Sequence, residues 1–419
     1  PHHEKEGSFY TIKQLWSPVQ IMNTSIDKQF DGKFSVENRY DYLNLNTCRF
    51  LWKQVKFPTA TDTSNTTTQV LKEGEVQGSD VAAHSTGILD IKTTILPNAD
   101  ALFLTAIDKY GHELWRWTFP VDKLNQTNEV FSPLSGKATY SETENELTVK
   151  AKNHTFIFSK RDGQLKGVSV NNHKISFANG PRFIGARRAD RSLDQFYNHD
   201  DEKAKEKDRT YSEFPDAAVF TKLEVKEDGG NLIVTANYKL GNLDKAQWTI
   251  NPNGEAALDY TYNFSGVVDL IGICFDYPED QVISKRWLGA GPYRVWQNRI
   301  HGTQYDVWEN DYNDPIPGET FTYPEFKGYF DSVSWMNIRT KEGTISLTNE
   351  TPDSYIGVYQ PRDGRDRLLY TLPESGISVL DVIPPVRNKV NSTDLCGPSS
   401  QPKWVNGPQT GRIIFRFME

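Results

Sequence analysis

Sulfur is scarce in this chain. Three cysteines (Cys48, Cys274, Cys396) and three methionines occur in 419 residues. The cysteines are far apart and odd in number, so they build neither a disulfide framework nor a metal-ligand spacing. Cys274 sits in the apolar run Ile271-Gly272-Ile273-Cys274-Phe275 and is expected to be a buried thiol. No apolar run reaches the length of a membrane span. No long Lys/Arg tract stands out either. With 47 basic and 55 acidic residues the net charge is −8, which argues against nucleic acid as a partner. There is no internal repeat, no low-complexity tract and no convincing helical period. The chain starts at Pro1, without Met or a signal peptide, and reads as a processed or excised piece of a longer protein.

What is present is aromatic and strand-like. Ten Trp, nineteen Tyr and 22 Phe accompany many Thr and Asn. Such composition favours β structure, and flat aromatic faces also suit sugar rings. The length implies two or three domains. Phe34 to Tyr40, Arg49 to Phe57 and Ala101 to Phe119 alternate with period two, and the polar stretch Thr59 to Thr68 reads as loop. Roughly seven short strands in the first hundred residues fit an immunoglobulin-like sandwich. A second series of strands follows, with turns at Asp162-Gly163 and Asn171-Asn172. So many strands without helices predict one large double-sheet sandwich.

One stretch concentrates unusual residues: Trp287-Leu288-Gly289-Ala290-Gly291-Pro292-Tyr293-Arg294-Val295-Trp296-Gln297-Asn298-Arg299. Its glycines permit positive φ or close backbone approach. Its arginines offer donor forks to carboxylates or sugar hydroxyls. A structural corner with acid-paired arginines is the plainer alternative. The stretch resembles the tryptophan–glycine–x–glycine–proline motif in the last domain of family 2 β-galactosidases. Trp287, Gly289, Gly291, Pro292 and Arg299 carry the match; Asn298 stands where that family usually has aspartate. Pro1-His2, Tyr10, Lys13, Trp16, Pro18 and Val19 resemble the same family's exit from its catalytic barrel. Val36 to Tyr40, Asn44-Leu45 and Trp52 resemble the domain that follows the barrel.

The resemblance implies an all-β fold: an immunoglobulin-like β-sandwich followed by a galactose-mutarotase-like β-supersandwich. The expected division is a linker over 1–18, a sandwich over 19–128 and a small-chain-like supersandwich over 129–419. It also implies a sugar site. Arg188 and Ala189 match the family's arginine–alanine–proline–x–aspartate–asparagine–aspartate motif. Asp190 replaces the proline, and Asp194 aligns with the last aspartate. The polar loop Gln195 to Tyr211 would put His199, Asp200 and Asp201 near the aglycone. Lys403-Trp404, after a Gly/Pro/Ser-rich loop that includes Asp394, replaces a Ser-Trp pair whose indole stacks on the sugar. Substrate contacts are therefore expected at Trp404, Arg188, Asp190, Asp194, His199 and Asp394. Each has a plainer alternative: ion pairs for the arginine motif, a solvated loop for His199, a core anchor for Trp404.

Asp306, Glu309, Asp311 and Asp314 could form an oxygen-rich calcium site, but they lack the glycine and bidentate glutamate of the helix–loop–helix calcium motif. A solvated loop is the default, and no metal or cofactor is expected. Retaining glycosidases need two carboxyl groups about 5 Å apart. In family 2 both lie on a (β/α)₈ barrel, which takes at least about 200 residues of alternating strand and helix. No such region occurs here. The expected role is a C-terminal, non-catalytic portion of an exo-glycosidase. Its partners would be a β-galactoside-like carbohydrate and a missing catalytic barrel, with a homo-oligomer possible. Two alternatives stay open: a free-standing carbohydrate-binding module, and a mutarotase-like epimerase for which His301 with Glu309 is the nameable pair.

Overall fold

Period-two alternation governs nearly all of the computed structural model, which describes residues 5, 7–62, 67–121, 136–188, 211–311, 328–351, 353–358, 373, 375–386 and 397–419. The chain divides into two compact units. One comprises residues 1–126, 288–293 and 301–308, and the other comprises 127–287, 294–300 and 309–419.

Among the described residues of its N-terminal segment, the first unit has seven strands: β1 (Val19–Ile21), β2 (Lys33–Asn38), β3 (Arg49–Lys56), β4 (Gln69–Gln77), β5 (Ser85–Asp90), β6 (Ala101–Ile107) and β7 (Glu113–Pro120). They form a three-stranded sheet, β1-β2-β5, and a four-stranded sheet, β4-β3-β6-β7. Their strand pairings are antiparallel. This is an immunoglobulin-like arrangement. Alternate residues of β2 (Phe34, Val36) and β3 (Phe50, Trp52) point into one core with Leu89, Leu102, Leu104 and Phe119. Phe34 of one sheet meets Phe119 of the other at 5.0 Å between ring centroids. Ala101 to Phe119, one alternating run in the sequence, is a hairpin of β6 and β7.

Gly7–Leu15 is a helix, α1, where the sequence reading has a linker entering a strand. None of its residues is buried. At nine residues it is shorter than the window over which helical periodicity is read, and its apolar residues Phe9, Ile12 and Leu15 are exposed rather than packed into a core. Thr11 Oγ1 donates to the backbone oxygens of Gly7 (3.1 Å) and His301 (2.7 Å), and Lys13 pairs with Glu113 at 2.7 Å.

The second unit opens with β8 (Thr139–Glu142), β9 (Glu146–Ala151), β10 (His154–Ser159), β11 (Leu165–Val170), β12 (His173–Ile175), β13 (Ala178–Arg188) and β14 (Tyr211–Glu213). Next come β15 (Val219–Asp228), β16 (Asn231–Lys239), β17 (Leu243–Ile250), β18 (Ala256–Val268), β19 (Leu270–Asp276), β20 (Val282–Gly291) and β21 (Gln304–Asn310), of which residues 288–291 of β20 and 304–308 of β21 belong to the first unit. The last are β22 (Phe330–Asp331), β23 (Trp335–Thr340), β24 (Gly343–Asn349), β25 (Tyr355–Val358), β26 (Ile377–Val382) and β27 (Lys403–Met418).

Eleven of them form one sheet along the path β22-β25-β26-β19-β13-β11-β10-β9-β8, with β12 on β11 and β14 on β13. Nine form the other, β15-β16-β17-β18-β27-β24-β23-β20-β21. An aromatic layer joins the two faces. Phe177, just before β13, and Phe275 of the larger sheet meet Phe415 of the smaller at 5.1 and 5.5 Å, and Trp248 meets Phe275 at 6.0 Å. Rings at these distances bury large apolar areas and add directional contacts. The all-β expectation of a small sandwich followed by a supersandwich is the architecture observed.

The turns follow the residues that demand them. Gly163 (φ +74°) closes β10 to β11, and Asn171 and Asn172 (φ +48° and +67°) close β11 to β12. Two consecutive left-handed residues are what a tight antiparallel hairpin requires.

Candidate functional site

Arg188 is the last residue of β13, and only 8% of its surface is exposed. A guanidinium cannot be taken out of water cheaply without a counter-charge. Asp269 supplies it from the turn between β18 and β19. Its own surface is fully buried. The Arg188 backbone N–H donates to Asp269 Oδ2 at 2.8 Å, and Arg188 Nε lies 3.0 Å from Oδ1. Burial pushes the Asp269 carboxyl above the usual carboxylate range; the charge of Arg188 and its N–H oppose that rise. Arg188 Nη2 then donates to the backbone oxygen of Ser400 at 3.0 Å.

The same loop is gripped from the other side. Gln297 Nε2 donates to the backbone oxygens of Ser399 and Gln401, both at 2.7 Å. Asn298 Nδ2 donates to Val386 O at 2.7 Å and to Ser400 Oγ at 2.9 Å, while its Oδ1 accepts from Val386 N at 2.9 Å. Asn298 thus acts as a short surrogate strand towards Val386, and only an amide has both the donor and the acceptor for it. That gives a physical reason for asparagine at a position where the resembled motif has aspartate. Pro398–Ser400 forms a single 3₁₀ turn, entered through Gly397 at φ +95°.

This corner leads directly into β27, whose second residue is Trp404. Trp404 pairs in register with Val267 of β18. Its surface is 67% exposed, while most of the other tryptophans are core residues. An indole held on a well-ordered strand but left open to solvent is a ready stacking face.

The motif over 287–299 is positioned differently from its appearance in the sequence. Trp287 is fully buried against Phe330, ring centroids 4.9 Å apart. Trp296 is buried against Tyr329 at 5.6 Å. Gly289 and Gly291 are buried in β20 with no positive φ. The need for glycine at 291 is close approach: a Cβ there would meet Trp308 Cδ1 at 2.4 Å. Pro292 follows it through a cis peptide. Arg299 is exposed and closes a tight turn, its N–H donating to Trp296 O at 2.7 Å.

Of the residues singled out from the sequence, the structure brings Arg188 and the loop before Trp404 together. Asp190, Asp194, His199, Asp200, Asp201, Asp314 and Asp394 lie outside the described residues. Asp306 has its carboxylate occupied: Oδ2 pairs with Arg116 at 3.0 Å and Oδ1 accepts from Thr68 at 2.8 Å. Among the described residues no group of three or more His, Cys, Asp and Glu is placed to hold a metal ion. No helix among them is long and apolar enough to cross a membrane. His301 and Glu309 are both exposed. Cys274 is a buried free thiol, and burial pushes it up to about 11.

Three contributors escaped the sequence reading: Asp269, Gln297 and Ser400. Asp269 did leave a signal. It is the one acid in Val267-Val268-Asp269-Leu270-Ile271, and a lone acid in an apolar run calls for a buried cation.

The model of the beta galactosidase small chain family matches residues 150–373, more than half of the chain. The chain belongs to the beta galactosidase small chain family. The matched region holds Arg188, Asp269, Gln297 and Asn298, with Trp404 beyond it. Among solved structures, a galactose 1-epimerase from Lactobacillus acidophilus is 10% identical with a TM-score of 0.38. The alignment covers 68% of this chain and 99% of that one. A cycloalternan-forming enzyme from Listeria monocytogenes is 8% identical with a TM-score of 0.20, over 95% of this chain and 30% of that one. No curated protein matches.

Proposed function

We propose that this chain is the C-terminal, non-catalytic portion of a retaining exo-glycosidase resembling the family 2 β-galactosidases. Trp404 stacks on the sugar. Arg188, Asp269, Gln297 and Asn298 are positioning residues that fix the loop carrying it. Asp190, Asp194, His199 and Asp394 complete a polar rim around the aglycone. The nucleophile and the acid/base, two carboxyl groups about 5 Å apart in a retaining enzyme, belong to a separate barrel domain.

The observation that carries this reading is the contrast between Trp404 and its support. A large indole is left 67% exposed at the end of a loop tied down by a buried ion pair and two amide side chains. A site that must hold a ligand in one geometry needs its contact residue rigidly supported. Membership of the beta galactosidase small chain family supports a sugar as that ligand.

The test is steady-state hydrolysis of a β-galactoside by this chain joined to its barrel domain. Trp404→Ala should raise KM about tenfold, the scale of one lost aromatic contact, with a smaller change in kcat. An unchanged KM would remove Trp404 from the site.

A further inference from the structure

A second polar constellation lies on the larger sheet of the second unit, on β13, β14 and β19. It borders a groove of about 750 Å³ lined by Lys174, Ala178, Arg182, Ile184, Glu213 and Phe214, among others. Ligand pockets commonly fall between about 300 and 1,000 Å³. The strands bring these residues side by side: Arg182 pairs in register with Cys274, Ala178 with Asp276, and Ala186 with Glu213.

One wall is a hydrogen-bonded relay. Lys166 Nζ donates to Asn179 Oδ1 at 3.2 Å, which fixes the Asn179 amide. Asn179 Nδ2 donates to Asp276 Oδ2 at 2.6 Å, and Arg182 Nη2 donates to Asp276 Oδ1 at 2.6 Å. The same Nη2 touches Cys274 Sγ at 3.7 Å. Among the described residues, both hydrogen-bond partners of Arg182 are met by one nitrogen. A guanidinium has five N–H donors, so its remaining donors are available to the groove. The Glu213 carboxylate and the Lys174 ammonium stand exposed at the rim.

The other wall is apolar. Phe214 lies over Gly185, its backbone N–H donating to Gly185 O at 2.8 Å and its ring 4.9 Å from that of Phe264. Ile184 and Pro278 continue this side.

We propose that this groove is a second carbohydrate site, separate from Trp404, for a neutral mono- or disaccharide. The charges select the class. Lys174 and Arg182 are balanced by Glu213 and Asp276, so the groove carries no excess of either sign to favour a charged ligand. It presents donors and acceptors side by side along one wall and a phenyl ring along the other. A sugar ring is made to the same plan, with hydroxyls around its edge and C–H groups on its face. The Arg182–Asp276–Asn179 relay is already assembled, so little ordering has to accompany binding.

The test is a methyl-resolved NMR titration of this chain with galactose, lactose and, separately, galacturonate. The proposal predicts saturable shifts at the methyl groups of Ile184 and Ala178 with galactose or lactose. The indole N–H of Trp404 should follow a different binding curve or stay still, which separates this site from the one proposed above. Arg182→Ala should weaken the response about tenfold or more, the scale of a lost charged hydrogen bond. Phe214→Ala and Glu213→Ala should weaken it in the same direction. These two keep the test decisive should the arginine variant misfold. No saturable shift at Ile184 and Ala178 in the wild-type chain overturns the proposal. So does tighter binding of galacturonate than of galactose, or an undiminished response in a folded Arg182→Ala variant.

Discussion

Arg188 and Arg182 stand six residues apart on β13, and each pairs with an aspartate near one end of β19. Arg188 meets Asp269 with side chains only 7% and 1% exposed. Arg182 meets Asp276 with side chains 35% and 43% exposed. The same two residue types in the same strand pair therefore do different work. In the sealed pair, the guanidinium reaches the aspartate and the Ser400 carbonyl, and the result is a fixed loop. In the open pair, one nitrogen meets the aspartate and the rest of the guanidinium faces a groove. Burial separates a positioning residue from a recognising one. Residue type alone does not.

Breaking the sealed pair should have the largest effect. Asp269→Ala leaves Arg188 buried without its counter-charge, a change that costs roughly 3–5 kcal/mol. Urea denaturation should show it as a lower midpoint with an unchanged slope. A near-neutral result would mean that Arg188 escapes to solvent, and the corner would not be a support. Next comes Asn298→Asp. It sets a carboxylate oxygen against the Val386 carbonyl in place of the Nδ2 donor, at roughly 1–3 kcal/mol. Full stability in that variant would show that the surrogate-strand contact to Val386 is dispensable.

The sequence made the strands legible and this contrast illegible, for a physical reason. Alternation is local: Asn231–Lys239 and Ala256 onward are read from neighbouring residues, and so is the turn at Asn171-Asn172. The roles of the arginines are not local. Arg188 is decided by Asp269 and Ser400, 81 and 212 positions away. Arg182 is decided by an aspartate 94 positions away. The dense arginine run was visible as chemistry, but its burial was not. Trp287 and Trp296 make the same point. They mark the motif in the sequence, yet both are core, while Trp404, marked only by resemblance, is one of two strongly exposed tryptophans, with Trp16. Helix α1 was not legible because its nine residues are too few to display a helical period.

A third aspartate sharpens the comparison through pH. Asp381 on β26 accepts a hydrogen bond from the Tyr262 hydroxyl of the facing sheet. Burial raises its carboxyl above the usual range, with Tyr262 opposing. A raised carboxyl pKa means that the folded state holds the proton more tightly than the unfolded state. This site's contribution to stability is therefore full below the unfolded value and is lost as pH rises through the folded one. Asp381→Asn keeps an acceptor for Tyr262 and has no charge to bury. Its melting temperature relative to wild type should rise as pH increases across that window. A pH-independent difference would contradict the assignment.

The smallest stability effects belong to the exposed groups. Arg182→Ala removes a part-exposed pair and should cost no more than about 1 kcal/mol, whatever it does to sugar binding. Trp404→Ala should lie within about 0.5 kcal/mol of wild type, so that any change in KM reports on the site and not on folding. A large loss of stability in the Trp404 variant would make that residue part of the fold.

The central claim is that this chain supplies support and sugar contacts while another domain supplies the carboxylates. Its most direct test is a β-galactoside hydrolysis assay on this chain alone beside one on the same chain joined to its barrel domain. Turnover by the joined protein only is the predicted result. Hydrolysis or epimerisation at enzymic rates by this chain alone would contradict the account and move the search for catalytic groups to its own acids and histidines.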